Sequence, residues 1–248
     1  MIRGVTFDFW QTLAEDAPEN LVAQRRLRLQ ALHEALRWSG VDVDAPQVEA
    51  GYERSQELLE ARFWNRHRDP GFAEQVALVL DCVVPGASAR VTGSRMDALL
   101  RGYADPVLRR PPALCPGAAE AVRTLAGHGV RLGVISNTGR TPGMVLRRFL
   151  ERHGLLRHFE VVTFSDELGL RKPEAEIFRR TLAKLGPELG LEPHEVAHIG
   201  DNPQADVEGA RAVGMRAVHY AVGGQPGAAH ADLVIADLTT LAERLAVG

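Results

Sequence analysis

From residue 111 onward, short apolar runs alternate with segments of helical periodicity, and this alternation limits the possible folds more than any other feature of the chain. The runs are VRLGVIS (130–136), FEVVTFS (159–165), EVAHIGD (195–201) and MRAVHY (215–220). Between them GAAEAVRTLAGHG, PGMVLRRFLERHG, PEAEIFRRTLAKLG and PQADVEGARAVG carry apolar residues three and four positions apart, and several end in glycine, a helix stop signal. Such alternation predicts an α/β fold: a doubly wound, Rossmann-like parallel sheet with helices on both faces. A further apolar run, residues 2–8, has the character of a strand of the same sheet but is separated from it by a long segment without strand-like alternation. Residues 19–108 read almost wholly helical, with Pro and Gly at the joins, which predicts an inserted all-helical cap of four helices. The expected division is 1–14 with 111–248 for the catalytic core and 15–110 for the cap, hinged near residues 14–18 and 110–117.

Charge and cysteine usage remove several classes of partner. The 248 residues carry a net charge of −3 with both signs interspersed, so no field would recruit nucleic acid or an anionic membrane. No segment has the length of a membrane span, and MIRGVTFDFW lacks the layout of a secretory signal, so a cytoplasmic protein is expected. Cys82 and Cys115 belong to no CxxC or Cys/His cluster, which argues for two free thiols and against structural zinc.

In an open parallel sheet, ligands bind beyond the carboxyl ends of the strands. Those ends carry Asp8, Ser136 with Asn137, and Gly200 with Asp201, while Lys172 stands in the loop after the third run. An aspartate at a strand tip can attack phosphorus if a divalent cation, a phosphoryl-oxygen donor and a proton source assist it. Asp201 and Asp206 in GDNPQAD offer hard oxygen ligands for Mg²⁺, although aspartates at this spacing also serve turns and helix caps. Ser136 and Asn137 offer a hydroxyl and a backbone N–H for a phosphoryl oxygen, or else cap a helix starting near Thr141. Lys172 is more telling, because only it and Lys184 among 29 basic residues are lysines, and a compact ammonium suits one phosphoryl oxygen. Lys184, in the mid-helix context LAKLG, reads as a solvated surface residue.

Together FDFWQTL, VISN, GLRKPEAEIF and IGDNPQADVEGARAVGM resemble, in order and spacing, the four motifs of the haloacid dehalogenase (HAD) superfamily of aspartate-nucleophile hydrolases. The resemblance covers nearly the whole chain and is to the phosphatase-like branch with a helical cap inserted after the first strand. It implies Asp8 as nucleophile and Ser136 and Lys172 as phosphoryl clamps. The substrate-binding set is expected to be Thr12, Ser136, Asn137 and Lys172. Mg²⁺ is implied at Asp8, the backbone carbonyl of Trp10 and Asp201, with Asp206 in support. The expected partner is a small phosphorylated substrate, with no nucleic acid or membrane, acting on a monomer or homodimer.

One position departs from the family pattern. Trp10 stands where these phosphatases carry a second aspartate that protonates the leaving group, and an indole N–H does not exchange a proton usefully near neutral pH. The 2-haloacid dehalogenases, which need no metal, have an aromatic residue there but replace the acidic pair that Asp201 and Asp206 keep. Phosphonate-cleaving members use a cap lysine, and this cap has none. The expectation is therefore a Mg²⁺-dependent hydrolase that is slow or selective for good leaving groups, with a catalytically impaired phospho-ligand-binding protein as the alternative. In the cap, ARFWNRHRD (61–69) reads as a helix end with aromatics turned inward and solvated cations, rather than as an anion-binding lid.

Overall fold

A computed structural model describes residues 1–223 and 226–247. Six parallel strands form one sheet in the order β5-β4-β1-β6-β7-β8: β1 (Gly4–Phe7), β4 (Arg131–Ser136), β5 (Val161–Phe164), β6 (Val196–Gly200), β7 (Arg216–Tyr220) and β8 (Leu233–Ile235). The first strand is central, paired in register from Gly4↔Arg131 to Phe7↔Val134 on one side and from Gly4↔Val196 to Phe7↔Ile199 on the other. The strand β8 is an addition to the sequence reading. It has three residues, one of them buried, and lies at the sheet edge, so it lacks the long apolar run that marks the inner strands.

Alternate side chains of the strands feed two separate cores, as a sheet covered on both faces requires. On one face Val5, Phe7, Leu132, Val134, Ala197 and Ile199 pack with Phe149 and Val122, from α7 (Gly143–Arg152) and α6 (Ala118–Gly127). On the other, Ile135, Val196 and Ala217 pack with Ile177 and Phe178 of α9 (Ala175–Leu182). Single turns α8 (Ser165–Leu168), α10 (Gly209–Arg211) and α11 (Leu241–Arg244) complete this part. Where residues 203–214 predict one regular helix, the chain instead makes a π-helical turn over Pro203–Glu208 before α10. The wide turn sends the N–H groups of both Asp206 and Val207 to the Asn202 carbonyl and buries the Asp206 side chain.

The inserted helices are α1 (Pro18–Trp38), α2 (Ala45–Arg62), α3 (Phe72–Val83), α4 (Ser94–Ala104) and the single turn α5 (Pro106–Arg109). A reciprocal capping box between Asp44 and Gln47 starts α2. The bundle has its own core of Leu32, Leu36, Val76, Leu80, Leu99 and Tyr103. Gly51 lets α2 lie against α3, since a Cβ there would sit 2.5 Å from Val83 Cα. Entry to and exit from this segment run side by side, since β2 (Ala14–Glu15) pairs antiparallel with β3 (Ala113–Leu114). Among the described residues no helix is long and apolar enough to cross a membrane.

Candidate active site

Four strand-tip segments converge at the carboxyl edge of the central strands. Asp8 follows β1 directly and is buried, and its backbone N–H donates to the Ile199 carbonyl at 2.8 Å. Lys172, also buried, reaches across so that its Nζ lies 2.6 Å from Asp8 Oδ1 and 2.5 Å from Asp206 Oδ1. Carboxylate oxygens of Asp8, Asp201 and Asp206 lie within 4.8 Å of one another. Ser136, at the tip of β4, and Thr12 are both buried, and the hydroxyl of each lacks a hydrogen-bond partner. Orphaned hydroxyls are costly in a dry interior, and these two leave their hydrogen-bonding capacity open to a ligand. Neither Ser136 nor Asn137 caps α7: that helix starts at Gly143, whose N–H donates to the Asp166 carboxylate at 3.1 Å.

The remaining predicted residues have more specific positions than their sequence context indicates. The Asn137 amide is committed to the Lys172 main chain, accepting from its N–H at 2.9 Å and donating to its carbonyl at 3.1 Å. This clamp orients the lysine, so the Asn137 side chain is engaged with protein. Trp10 is half-buried, its ring edge-on to Phe9 with centroids 4.9 Å apart. The turn behind it doubles back through Gln11, held at a left-handed φ of 59°, with the Gln11 N–H donating to Ala14 O at 2.8 Å. Lys184 is exposed as expected but stands in the turn after α9, not inside a helix. Cys82 and Cys115 are free thiols.

Asp206 is saturated with donors. Besides Lys172, its Oδ1 accepts from His198 Nε2 at 3.0 Å, and its Oδ2 accepts from the Asn202 N–H at 3.0 Å. Burial alone would raise its pKa, but Lys172 and His198 hold it well below the usual carboxylate range. Burial also keeps the His198 ring neutral, and its Nδ1 faces the Thr6 hydroxyl at 2.9 Å. Gly200 makes room for this arrangement, since a Cβ there would lie 2.1 Å from Asp206 Cγ. Asp8 and Asp201 lack such support. Burial raises Asp8 well above the ordinary value despite Lys172, and burial followed by the Asp206 charge pushes Asp201 up to about 6. Two carboxyls that resist ionisation beside one that does not form an acidic set short of positive charge, and hard oxygens this close suit Mg²⁺. The Asp201 backbone is fixed from behind by His219, whose Nδ1 accepts the Ala228 N–H and whose Nε2–H therefore donates to the Asp201 carbonyl at 3.0 Å.

The cap is joined to this site by contacts that sequence reasoning missed. Asp69, its carboxylate fully buried, accepts from Ser165 Oγ at 2.5 Å, Arg171 at 2.8 Å and Trp64 Nε1 at 2.9 Å. Ser165 in turn accepts from the Thr138 N–H at 2.9 Å, and Arg171 stacks 4.8 Å over the Trp64 ring. The expected inward aromatic of ARFWNRHRD is thus bound to the loop that carries Lys172, while Arg66 and Arg68 are exposed. From the core, Arg140 enters the bundle 4.0 Å from the Tyr52 ring and donates to Tyr103 OH at 2.8 Å and Ser55 Oγ at 3.0 Å. An aspartate before proline and an arginine after a Thr-Gly turn carry no sequence signal for such long-range pairing.

A parallel α/β sheet with an inserted helical domain carries an aspartate at the tip of its central strand and a lysine-bridged acidic cluster, the frame of an α/β enzyme with its site at the strand tips. Comparison with known proteins then gives the family: residues 2–214 match the family model described as haloacid dehalogenase-like hydrolase, and the chain belongs to that family. It is 38% identical to the phosphoserine phosphatase of Thermus thermophilus over 132 residues, which are 52% of this chain and 50% of that one, so the alignment spans about half of that relative. Over 99% of both chains it resembles a HAD phosphatase from Thermococcus onnurineus, at 25% identity and a TM-score of 0.66. At the same identity and coverage it resembles a 2-haloacid dehalogenase from Pseudomonas syringae, with a TM-score of 0.71. The protein is a hydrolase of this superfamily with phosphatase relatives.

Proposed function

We propose that the protein is a Mg²⁺-dependent phosphatase that hydrolyses a small phosphorylated molecule through an aspartyl-phosphate on Asp8. The observation that carries this reading is the Lys172 ammonium 2.6 Å from Asp8, together with two buried hydroxyls without partners, Ser136 at the tip of the neighbouring strand and Thr12 four residues after Asp8. Asp8 Oδ attacks phosphorus, Lys172 and the Ser136 hydroxyl take the phosphoryl oxygens, and Asn137 keeps the lysine in place. Asp8, the Trp10 carbonyl and Asp201 would hold Mg²⁺, with Asp206 anchoring Lys172 behind them. The ion supplies Lewis-acid stabilisation of the phosphoryl charge. Phosphatase-named relatives support phosphorus as the attacked atom, and the retained acidic set favours it over carbon.

Trp10 removes the usual acid from beside the leaving group, and a positioned acid contributes about 10²- to 10⁴-fold. Turnover is accordingly slow on simple alkyl esters and better on aryl or acyl phosphates, whose leaving groups need no proton. The test is phosphate release from p-nitrophenyl phosphate and acetyl phosphate with and without Mg²⁺, in the parent, Asp8→Asn and Trp10→Asp proteins. Metal-dependent release that vanishes in Asp8→Asn, with a gain on alkyl esters in Trp10→Asp, is the expected outcome. Halide release from 2-chloropropionate in place of phosphate release would assign the dehalogenase chemistry, and neither release despite Mg²⁺ binding would leave a phospho-ligand-binding protein.

A further inference from the structure

A carboxyl group outside the strand-tip cluster faces the same space as Trp10. Asp16 follows β2 at the joint between sheet and cap and is half-buried. A cavity of about 290 Å³ opens there between core and cap, and its lining includes Trp10, Gln11, Thr138, Arg28 and Asp16. Trp10 and Gln11 stand two and three residues after Asp8, and Thr138 two after Ser136, so the cavity lies against the chain segments that leave two of the strand tips. Asp16 therefore borders the same space as Trp10, reached from the cap joint.

The surroundings of Asp16 suit proton transfer. Among the described residues its carboxylate accepts one hydrogen bond, from Gln24 Nε2 at 3.0 Å, and Gln24 is itself anchored to the Arg110 carbonyl at 2.9 Å. Burial raises its pKa above the ordinary carboxylate value, against Gln24 and Arg28. The charged groups lining the cavity with it are Arg28 and Arg140. Both guanidinium groups are engaged, Arg28 with Tyr103 O at 3.2 Å and Thr141 Oγ1 at 3.0 Å, and Arg140 in the tyrosine socket described above. On its other side Asp16 borders a groove with the exposed Glu15 and Pro18, through which it can exchange protons with solvent.

We propose that Asp16 is the general acid and base of the phosphoryl transfer, replacing in part, from the cap joint, the proton donor that position 10 lacks. The proposal rests on Asp8 being the nucleophile. In the first half-reaction the bond from Asp8 Oδ to phosphorus forms as the ester P–O bond breaks, and the Asp16 carboxyl proton passes to the leaving oxygen. In the second, the Asp16 carboxylate takes a proton from water as that water attacks phosphorus. The Asp8–phosphate bond breaks, inorganic phosphate leaves, and both aspartates return to their starting states. Whatever turnover the protein has on poorly leaving alcohols runs through Asp16.

The test compares kcat/KM for glycerol 1-phosphate and p-nitrophenyl phosphate in the parent, Asp16→Asn and Asp8→Asn proteins, because kcat/KM reports the first phosphoryl transfer. Asparagine keeps the acceptor for Gln24 and so preserves the joint. Asp16→Asn is expected to lower kcat/KM on the alkyl ester by about 10²-fold or more while changing the aryl ester by less than about threefold. The fall of the alkyl-ester profile at high pH should vanish with it. Equal losses on both esters, no loss on either, or a loss confined to substrates bearing an ammonium group would overturn the assignment, the last making Asp16 a substrate anchor. A parent that cleaves only the aryl ester would overturn it too. Activity surviving in Asp8→Asn would instead overturn the nucleophile and Asp16 together, which separates the two failures.

Discussion

At the residue scale the decisive group is Lys172, the one ammonium in a site otherwise built from carboxylates and hydroxyls. Burial opposes its charge, but Asp206 and Asp8 more than compensate and raise its pKa above the ordinary ammonium value. The chain thus keeps a fixed cation beside Asp8, where the proposed reaction needs one, and Asn137 fixes the backbone that carries it. Removing one partner of a buried pair typically costs about 3–5 kcal/mol because the other charge stays uncompensated. Lys172→Met is expected to abolish phosphatase activity and to destabilise the fold by that order near pH 8. The cost should shrink near pH 5, where Asp8 takes up a proton. Denaturant titrations at the two pH values check this, and adding Asp8→Asn to the variant should recover part of the loss. A Lys172→Met protein as stable as the parent near pH 8 would show that the lysine is held for catalysis at no structural benefit.

At the element scale the cap is held closed by two unlike contacts, the Arg140 socket in the bundle and the Asp69 cluster over the loop of Lys172. The second also touches chemistry, because Ser165 links Asp69 to the Thr138 N–H, next to the Ser136–Asn137 tip, and Arg171 precedes Lys172. Asp69→Ala leaves Arg171 and Trp64 Nε1 without their acceptor, a loss of about 1–3 kcal/mol by ordinary hydrogen-bond accounting. It is expected to free the cap, with faster proteolysis at the links near residues 14–18 and 110–117 and a raised KM. An unchanged cleavage rate would mean that the Arg140 socket alone sets closure. These elements also show what a sequence discloses. Strand tips were legible because buried parallel strands are apolar runs that stop at Asp8, Ser136 and Asp201, and the inserted helices because their periodicity differs from that of the sheet. Asp69, Ser165 and Arg140 were not, since their partners lie on other elements and their local contexts look like turns. His198 was hidden differently: inside the run VAHIG it reads as strand filler, yet it is the neutral donor that completes Asp206. Asp16 has the local context of a hinge residue, and only the cavity brings it into one lining with Trp10.

At the scale of the whole molecule, the buried carboxyls couple folding to pH and, on the proposed function, to Mg²⁺. Burial raises Asp8, and with the Asp206 charge brings Asp201 to about 6; burial also brings Asp166, beneath the α7 N-terminus, to about 6. Each value exceeds the unfolded one, so the folded state binds more protons between about pH 4 and pH 7, and stability falls as pH rises through that window. For Asp166 alone the full effect is about 3 kcal/mol. Asp206 has the opposite sign: its contribution is complete above the usual carboxylate range and is lost only toward strong acid. On the proposed ligand set, Mg²⁺ would bind the ionised forms of Asp8 and Asp201 and displace their protons, so it should stabilise the protein most where those protons are already gone. Calorimetry in chelator is therefore expected to give a lower Tm near pH 7.5 than near pH 5.5, with a Mg²⁺-induced rise that is larger near pH 7.5. Asp166→Asn should flatten the chelator slope without changing how the Mg²⁺ shift varies with pH, because it lies outside the acidic cluster. A Mg²⁺ shift equal at both pH values would mean that Asp8 and Asp201 are not its ligands, and the metal would have to be sought elsewhere.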